Sequence, residues 1–122
     1  MARLEAQLTG MPAEPDAHRC IEDLAKALGE PCNWIDLRNA AIAIHAGALS
    51  LPIQVLLELK GRGQLGVLIS SREAAGRGAP LTGSVLNQVL EQLGRLIPDA
   101  QLLYRSDRDG PLVHAGVSQP LT

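Results

Sequence analysis

The stretch LPIQVLLELKGRGQLGVLIS, residues 51–70, constrains the fold more than any other part of the chain. Apolar and polar side chains alternate on both sides of KGRG with a period of two, which is the repeat of a half-buried β-strand. Gly61 and Gly63 can supply the positive φ angles that a tight turn requires. The pattern therefore predicts a β-hairpin with its turn at KGRG.

A phosphate-binding loop is the other interpretation of a lysine beside two glycines. Such a loop leads from a strand into the N-terminus of a helix, and its lysine is followed by serine or threonine. In this chain Lys60 precedes the glycines, and a second strand pattern follows them. We therefore interpret KGRG as a turn, with the cations Lys60 and Arg62 in water at its tip.

Two segments have the apolar spacing of a helix. The first, residues 16–29, ends at Gly29, which favours the left-handed turn that closes a helix. In the second, residues 84–97, valines and leucines recur every three or four positions until a proline stops the pattern. The candidate N-caps are Asp16 for the first helix and Thr82 or Ser84 for the second.

The remaining segments alternate with a period of two and are short. WIDLR (residues 34–38), AAIAIHA (residues 40–46) and QLLYR (residues 101–105) are predicted to be strands. LVHAGV (residues 112–117) is either a return strand or a loose tail. Residues 72–81, rich in glycine and alanine, read as a mobile connection.

This order of elements predicts an α+β domain over residues 16–118. We expect a small, mostly antiparallel sheet of about three to five strands, with two helices packed on one face. The chain of 122 residues has the size of one domain. Residues 1–15 contain a short apolar pattern that two prolines interrupt, and we interpret them as a tail or linker.

The composition argues against two classes of function. Aromatic residues make up 2% of the chain and the net charge is −2, whereas nucleic-acid binding usually needs a basic groove and aromatic stacking. No apolar run approaches the roughly 20 residues that cross a bilayer. We expect neither nucleic-acid binding nor membrane insertion.

Residues that carry chemistry are present, but without the spacing that a catalytic or metal site needs. His18, His45 and His114 lack the HxxxH and HEXXH patterns of metal ligands. Cys20 and Cys32 are too far apart for a CxxC motif. A thiol paired with a histidine through the fold stays open, because such partners are spatial neighbours. We expect no enzyme activity, no cofactor and no metal.

A surface feature remains. Lys60 and Arg62 at the hairpin tip, with Arg72 and Arg77 in the long connection, would form a basic edge if the fold brought them together. Such an edge would suit an acidic partner, whereas ordinary solvated loop charge is the alternative. The candidate partner-binding residues are Lys60, Arg62 and Arg72.

Residues 41–104 resemble the C-terminal switch domain of type III secretion needle-length ruler proteins and flagellar hook-length control proteins. AIAIHAGALSLP corresponds to the family's strand and link, IQVLLELKGRGQLGVLISS to its hairpin, GSVLNQVLEQLGRLIP to its helix and AQLLY to its closing strand. The chain departs from the flagellar pattern at Ala46, where proline is usual, and at Leu49-Ser50, where the pattern has Leu-Gly. Leu51-Pro52 is inserted behind them, so the resemblance is nearer to the needle branch.

The resemblance implies a non-enzymatic protein-interaction domain that acts as a monomer. In that family the domain contacts the cytoplasmic domain of the export apparatus switch protein, and export changes from early to late substrates. The implied location is the bacterial cytoplasm, with export through the secretion apparatus as a further alternative. The residues expected to support the fold are Leu49 of the link and Leu57, Leu59, Leu65 and Val67 of the hairpin.

Two other functions stay open. A small acidic dimeric type III secretion chaperone is similar in size, in net charge and in a helix followed by three strands and a helix. The chain lacks the third C-terminal helix of those chaperones, which places this hypothesis second. A small thiol or acyl-transfer enzyme that uses Cys20 or Cys32 is the third hypothesis.

Overall fold

Seven strands and two helices make up the part of the chain that the structure describes, residues 2–74, 78–107 and 119–120 of a computed structural model. The strands are β1 (Ala2–Thr9), β2 (Asn33–Trp34), β3 (Asn39–Ala46), β4 (Leu51–Gly61), β5 (Gln64–Ser71), β6 (Gln101–Arg105) and β7 (Gln119–Pro120). The helices are α1 (Asp16–Leu28) and α2 (Pro80–Leu96).

The strands form a single antiparallel sheet in the order β2-β3-β4-β5-β1-β6-β7. The predicted α+β class is confirmed, and the hairpin, β3 and β6 lie where their alternation placed them. The sheet has more strands than the three to five that we predicted. The strands that we did not predict are β1 and β7, and β7 is two residues long, too short to leave a readable alternation. β2 keeps only Trp34 of the predicted strand at residues 34–38.

The N-terminal segment differs more from its prediction than the number of strands does. The prediction that residues 1–15 form a tail or linker is wrong for Ala2–Thr9, which lies in the middle of the sheet as β1. This strand pairs with β5 from Ala2 opposite Ser71 to Leu8 opposite Leu65, and with β6 on its other side. The alternation Ala-x-Leu-x-Ala-x-Leu is present in the sequence, but its small residues made it a weak signal.

One face of the sheet and both helices enclose the core. Rows such as Ile42, Val55 and Ile69 run across neighbouring strands and are fully buried. The helices add their apolar stripes to the same cluster, which is aliphatic throughout. The buried helical residues are Ala17, Ile21, Leu24 and Ala25 in α1 and Thr82, Val85, Leu86, Val89, Leu90 and Leu93 in α2.

The turn of the hairpin has the geometry that its sequence predicted. Arg62 and Gly63 have φ angles of 56° and 76°, and positive values at both central residues are typical of a type I′ turn. The backbone N–H of Met11 donates to the carbonyl of Gly63 at 3.0 Å, which ties the turn to the start of the chain. Because KGRG opens into a strand, the phosphate-loop interpretation fails.

Helix α2 begins four residues before its predicted start, at Pro80, and neither proposed cap is used. The Glu73 carboxylate takes the place of a cap: it accepts hydrogen bonds from the backbone N–H groups of Leu81 (2.9 Å) and Thr82 (2.8 Å). Thr82 is fully buried inside the helix, and its hydroxyl also donates to Glu73 at 2.7 Å. Ser84 is an exposed helical residue.

Helix α1 matches its prediction except at the N-cap. Asp16 is its first residue and makes no capping hydrogen bond, while Gly29 closes the helix at a φ of 77°. The predicted segment at residues 112–117 lies outside the described residues. Neither described helix is long and apolar enough to cross a membrane.

Candidate protein-docking surface

The sheet face opposite the helices carries both apolar and polar side chains. Its side chains come from the alternate positions of β3, β4, β5 and β1. Leu56 and Leu68 face each other across β4 and β5 and are only half-buried there. We call this surface the open face; its two central rows are Ala41, Leu56, Leu68 and Glu5, and Asn39, Glu58, Gly66 and Gln7.

A shallow hollow of about 360 Å³ lies over these rows. Leu56 and Leu68 contribute its apolar floor, and the carboxylates of Glu5 and Glu58 stand at opposite sides of it. Asp36 is a third carboxylate in the lining, against the single ammonium group of Lys60. An apolar floor within a negative rim suits a partner segment that carries both an apolar and a basic side chain.

Lys60 lies across the open face and does not extend from the hairpin tip, as we had predicted. Its Nζ donates to Oε1 of Gln7 at 3.0 Å, and Gln7 is on β1, one strand beyond β5. The side chain reaches that far because Gly66 lies beneath it: a Cβ at Gly66 would be 2.9 Å from Cε of Lys60. The lysine therefore belongs to the hollow.

The loop between β2 and β3, residues 35–38, forms one rim of the hollow. Oδ1 of Asp36 accepts the backbone N–H groups of Arg38 (2.8 Å) and Asn39 (2.9 Å), and it also accepts the Asn39 side-chain amide (3.0 Å). These hydrogen bonds, that from Arg38 first, lower the pKa of the Asp36 carboxyl below its ordinary value. They also explain why the predicted strand WIDLR ends at Trp34 and turns.

This loop presents two apolar side chains to solvent. Ile35 is 65% exposed at the edge of the hollow, and Leu37 is 79% exposed on the other side of the loop. Nε2 of His18 lies 2.6 Å from the Leu37 carbonyl, and the His18 ring meets Trp34 edge-on at 4.8 Å. These contacts connect the loop to α1, while its two apolar side chains remain exposed.

The structure does not bring the three predicted partner-binding cations together. Arg62 is at the exposed turn, and Arg72 follows β5 at its opposite end, beside His45 and Gln54. The eight residues of β5 separate the two arginines by roughly 25 Å at about 3.4 Å per residue. Lys60 lies across the open face, so these three cations do not form a single basic edge; their role in binding a partner stays a prediction. Arg77 lies outside the described residues.

The residues that the resemblance assigned to the fold divide into two groups. Leu57, Leu59, Leu65 and Val67 are buried in the core, as expected. Leu49 is 94% exposed in the turn between β3 and β4, so the expectation that it supports the fold is wrong.

Both thiols have pKa values above the ordinary value of a cysteine. Burial raises the pKa of the Cys20 thiol, and the nearby carboxylates of Asp23 and Asp16 raise it further. Burial, followed by Glu22, raises the pKa of Cys32 in the same way. A reactive cysteine needs the opposite shift. Within the described ranges, no three histidine, cysteine or carboxylate side chains are grouped as metal ligands; His114 lies outside those ranges.

Sequence reasoning missed most of this surface. Glu5 and Gln7 fell in the segment that we took for a tail, and Ile35 fell in a predicted strand. The alternation in residues 51–70 puts Leu56 and Leu68 on the polar side of their strands, and these two leucines were the available signal. Two leucines on a face that is otherwise polar indicate a surface that buries something.

The chain was compared with models of protein families and with curated proteins. A scan against models of protein families finds no match to the chain. A search of curated proteins finds no significant match either.

Proposed function

We propose that this chain is a non-enzymatic protein-interaction domain that docks a partner on its open face. The observation that carries the proposal is the leucine floor of Leu56 and Leu68, left uncovered by the two helices and edged by Glu5 and Glu58. A half-buried apolar floor gains free energy when a partner covers it, at about 25 cal/mol per Å² of apolar surface removed from water.

The biological setting that we propose is type III secretion. There the domain would bind the cytoplasmic domain of the export apparatus switch protein and signal the change from early to late substrates. The support is the likeness described above between residues 41–104 and the switch domains, together with the order of β3, hairpin, α2 and β6. We further propose that it acts as a monomer in the bacterial cytoplasm, or after export through the apparatus.

The charges that line the hollow change the kind of partner that we expect. The sequence suggested an acidic partner for Lys60, Arg62 and Arg72, but the hollow contains more carboxylates than cations. A lysine or arginine of the partner would approach Glu5 or Glu58 while a neighbouring apolar side chain covers Leu56 and Leu68. The loop of residues 35–38, which presents Ile35, would bound the contact on the side of β3.

The test is a binding titration of the whole chain against the purified cytoplasmic domain of the export switch protein. Leu68→Lys places a charge on the apolar floor and is expected to weaken binding at least about tenfold, because a central apolar contact is lost. Ser70→Lys is the matched control: it lies on the same face of the same strand, outside the hollow. It should change the affinity less than about twofold, as expected for a residue at the periphery.

Two results would overturn parts of the proposal. No binding by the unchanged chain would exclude this partner. Equal binding by the Leu68→Lys and Ser70→Lys variants would exclude the open face as the docking surface while leaving the partner in place. Thermal unfolding of each variant shows whether the fold is intact.

A type III secretion chaperone is the second candidate. The observation that favours it is the order of α1, the strands β2 to β5 and α2, combined with the exposed apolar side chains of Ile35 and Leu37. A chaperone of this kind is expected to be an obligate dimer, whereas a switch domain is expected to be a monomer. Light scattering on a size-exclusion column separates the two candidates.

A further inference from the structure

The outer edge of β3 is the second surface that could bind a protein. β2 covers only Ala40 and Ala41 of this strand. In the described part of the chain, no strand pairs with residues 42–46 on the side away from β4. A row of unpaired backbone groups at a sheet edge is a template for another strand.

The direction of each backbone group in β3 follows from two hydrogen bonds at its start. The carbonyl of Arg38 accepts the N–H of Leu59 at 2.8 Å and so faces β4, while the carbonyl of Asn39 accepts the N–H of Ile35 at 2.8 Å and so faces outward. Successive residues alternate between the two sides. The N–H and C=O groups of Ala43 and His45 therefore point outward.

This edge has none of the features that keep natural edges from pairing. Such edges usually carry lysine, proline, a bulge or an inward-pointing charge. Ala43 and His45 are exposed, and the pairing of β3 with β4 runs without a register shift from Asn39 to Ala46. The edge is thus regular and accessible over about five residues, which is enough to bind a short extended segment.

A cleft of about 310 Å³ adjoins the same edge on the helix side of the sheet. Ile44 lies at its base, the end of α1 contributes Leu28 and the following Glu30, and α2 contributes Gln88 and Glu91. Glu91 pairs with Arg95 at 2.7 Å, while Glu30 has no cation partner among the described residues. The cleft is therefore negative with an apolar base.

We propose that an extended segment of a partner protein binds here as an additional strand, hydrogen-bonded to Ala43 and His45. Cross-strand neighbours point to the same face, so the residue opposite Ile44 would enter the cleft. A lysine or arginine at that position fits best, since its aliphatic stem lies on Ile44 and its charge reaches Glu30. This site is separate from the open face. Backbone groups at the edge of β3 recognise the partner, and the residues of the hollow do not contact it.

A second copy of the chain is a poorer occupant. Two-fold pairing through β3 would place the Glu30 and Glu91 of one copy near the same residues of the other, and like charges across an interface disfavour association. The charge of the cleft thus favours a basic peptide over self-pairing.

The probe that tests this site is a fluorescent seven-residue peptide of alternating threonine and valine with lysine in the central position. Fluorescence anisotropy measures its binding to the whole chain, and amide chemical shifts identify the residues that it contacts. We expect the largest shifts at Ala43 and His45. Replacing the central lysine with glutamate should weaken binding about tenfold through repulsion by Glu30. Methylating the two backbone nitrogens beside the lysine should abolish binding, because it removes the strand's hydrogen bonds.

The matched variants are Ala43→Pro and Ala43→Thr. Proline removes the outward N–H while leaving the bonds to β4, a position where a strand tolerates it; threonine changes the side chain and keeps the N–H. Binding should be lost in the first variant and kept in the second. Equal binding by the plain and N-methylated peptides, no binding of the lysine peptide at millimolar concentration, or a dimer in sedimentation of the free chain would each overturn the proposal.

Discussion

The two faces of the sheet are built from the same strands, but the helices cover only one of them. On the helix side, Leu57 and Val67 meet across β4 and β5 within a core that excludes water. On the open face, one residue away along each strand, Leu56 and Leu68 meet in the same way but are only half-buried. Leu56 and Leu57 are neighbours in β4, but only Leu57 is buried in the core and stabilises the fold; we propose that Leu56 contacts a partner.

The largest expected effect comes from truncating those neighbours. Leu57→Ala should lower the free energy of unfolding by about 2–5 kcal/mol, since it leaves a cavity under the helices. Leu56→Ala should lower it by less than about 1 kcal/mol, because a half-buried side chain at the surface leaves no enclosed cavity. Urea unfolding of both variants measures the difference. Equal losses would mean that the open face is part of the stabilising core.

The buried hydroxyl groups of Thr82 and Ser71 allow a second test of what stabilises the helix side of the sheet. Thr82 and Ser71 share a hydrogen bond of 2.7 Å, and Thr82 is fully buried. Thr82→Val should cost about 1–3 kcal/mol, because the hydroxyl of Ser71 loses its acceptor and an oxygen of Glu73 loses a donor. Thr82→Ser keeps the hydroxyl and should retain more stability than Thr82→Val. A valine variant as stable as the wild-type chain would contradict the role that we give to this pair.

The carboxylate that caps α2 should make stability depend on pH. Burial alone raises the pKa of Glu73, but hydrogen bonds from the Thr82 N–H, the Leu81 N–H and the Thr82 hydroxyl outweigh it, and the pKa is lower than its ordinary value. A lowered pKa means that the stabilisation is present above the unfolded-state pKa and is lost as pH falls through the folded-state pKa.

Thermal unfolding of the wild-type chain and of Glu73→Gln measures this dependence. The wild-type chain should be the more stable at pH 7, and the difference should shrink as pH falls from about 5 to about 3. A difference that stays constant over that range would show that the charge of Glu73 does not support the helix.

The smallest expected effects concern two cations: Lys60 in β4 and Arg62 in the turn. Lys60→Gln leaves the negative rim of the hollow unbalanced, so it should strengthen the binding of the export switch protein's cytoplasmic domain about two- to threefold if that partner is basic at the contact. Arg62→Gln, at the exposed tip, should change the affinity less. Weakened binding by both variants would restore the acidic-partner hypothesis.

The elements that could be predicted from the sequence are those whose own residues carry a strong period. The hairpin, β3, β6 and α1 follow from alternation, helical spacing and glycine, which act over a few neighbouring residues. The start of α2 could not be predicted, because its cap is Glu73, seven residues before the helix, and only folding brings that carboxylate to the N-terminus. Asp36 is a different case: it turned a predicted strand into a loop through local hydrogen bonds to Arg38 and Asn39, and the period-two pattern did not reveal that turn.

The candidate site was less predictable than the fold. Among the three cations that we selected, only Lys60 lines the hollow, and it does so because Gly66 on the next strand leaves room for its side chain. Glu5 and Gln7 joined the site when β1 paired with β5, a contact between residues about sixty positions apart. Local patterns carry no information about such pairing.

By itself, the sequence determined the α+β class, the hairpin with its turn at Arg62 and Gly63, and the aliphatic core, since each depends on short-range periodicity and on the near absence of aromatic residues. The tertiary structure alone decided that Ala2–Thr9 is a central strand, that Lys60 lies over Gly66, and that the edge of β3 stays unpaired beyond Ala41 among the described residues. The physical reason is that strand order and face coverage arise from contacts between distant segments.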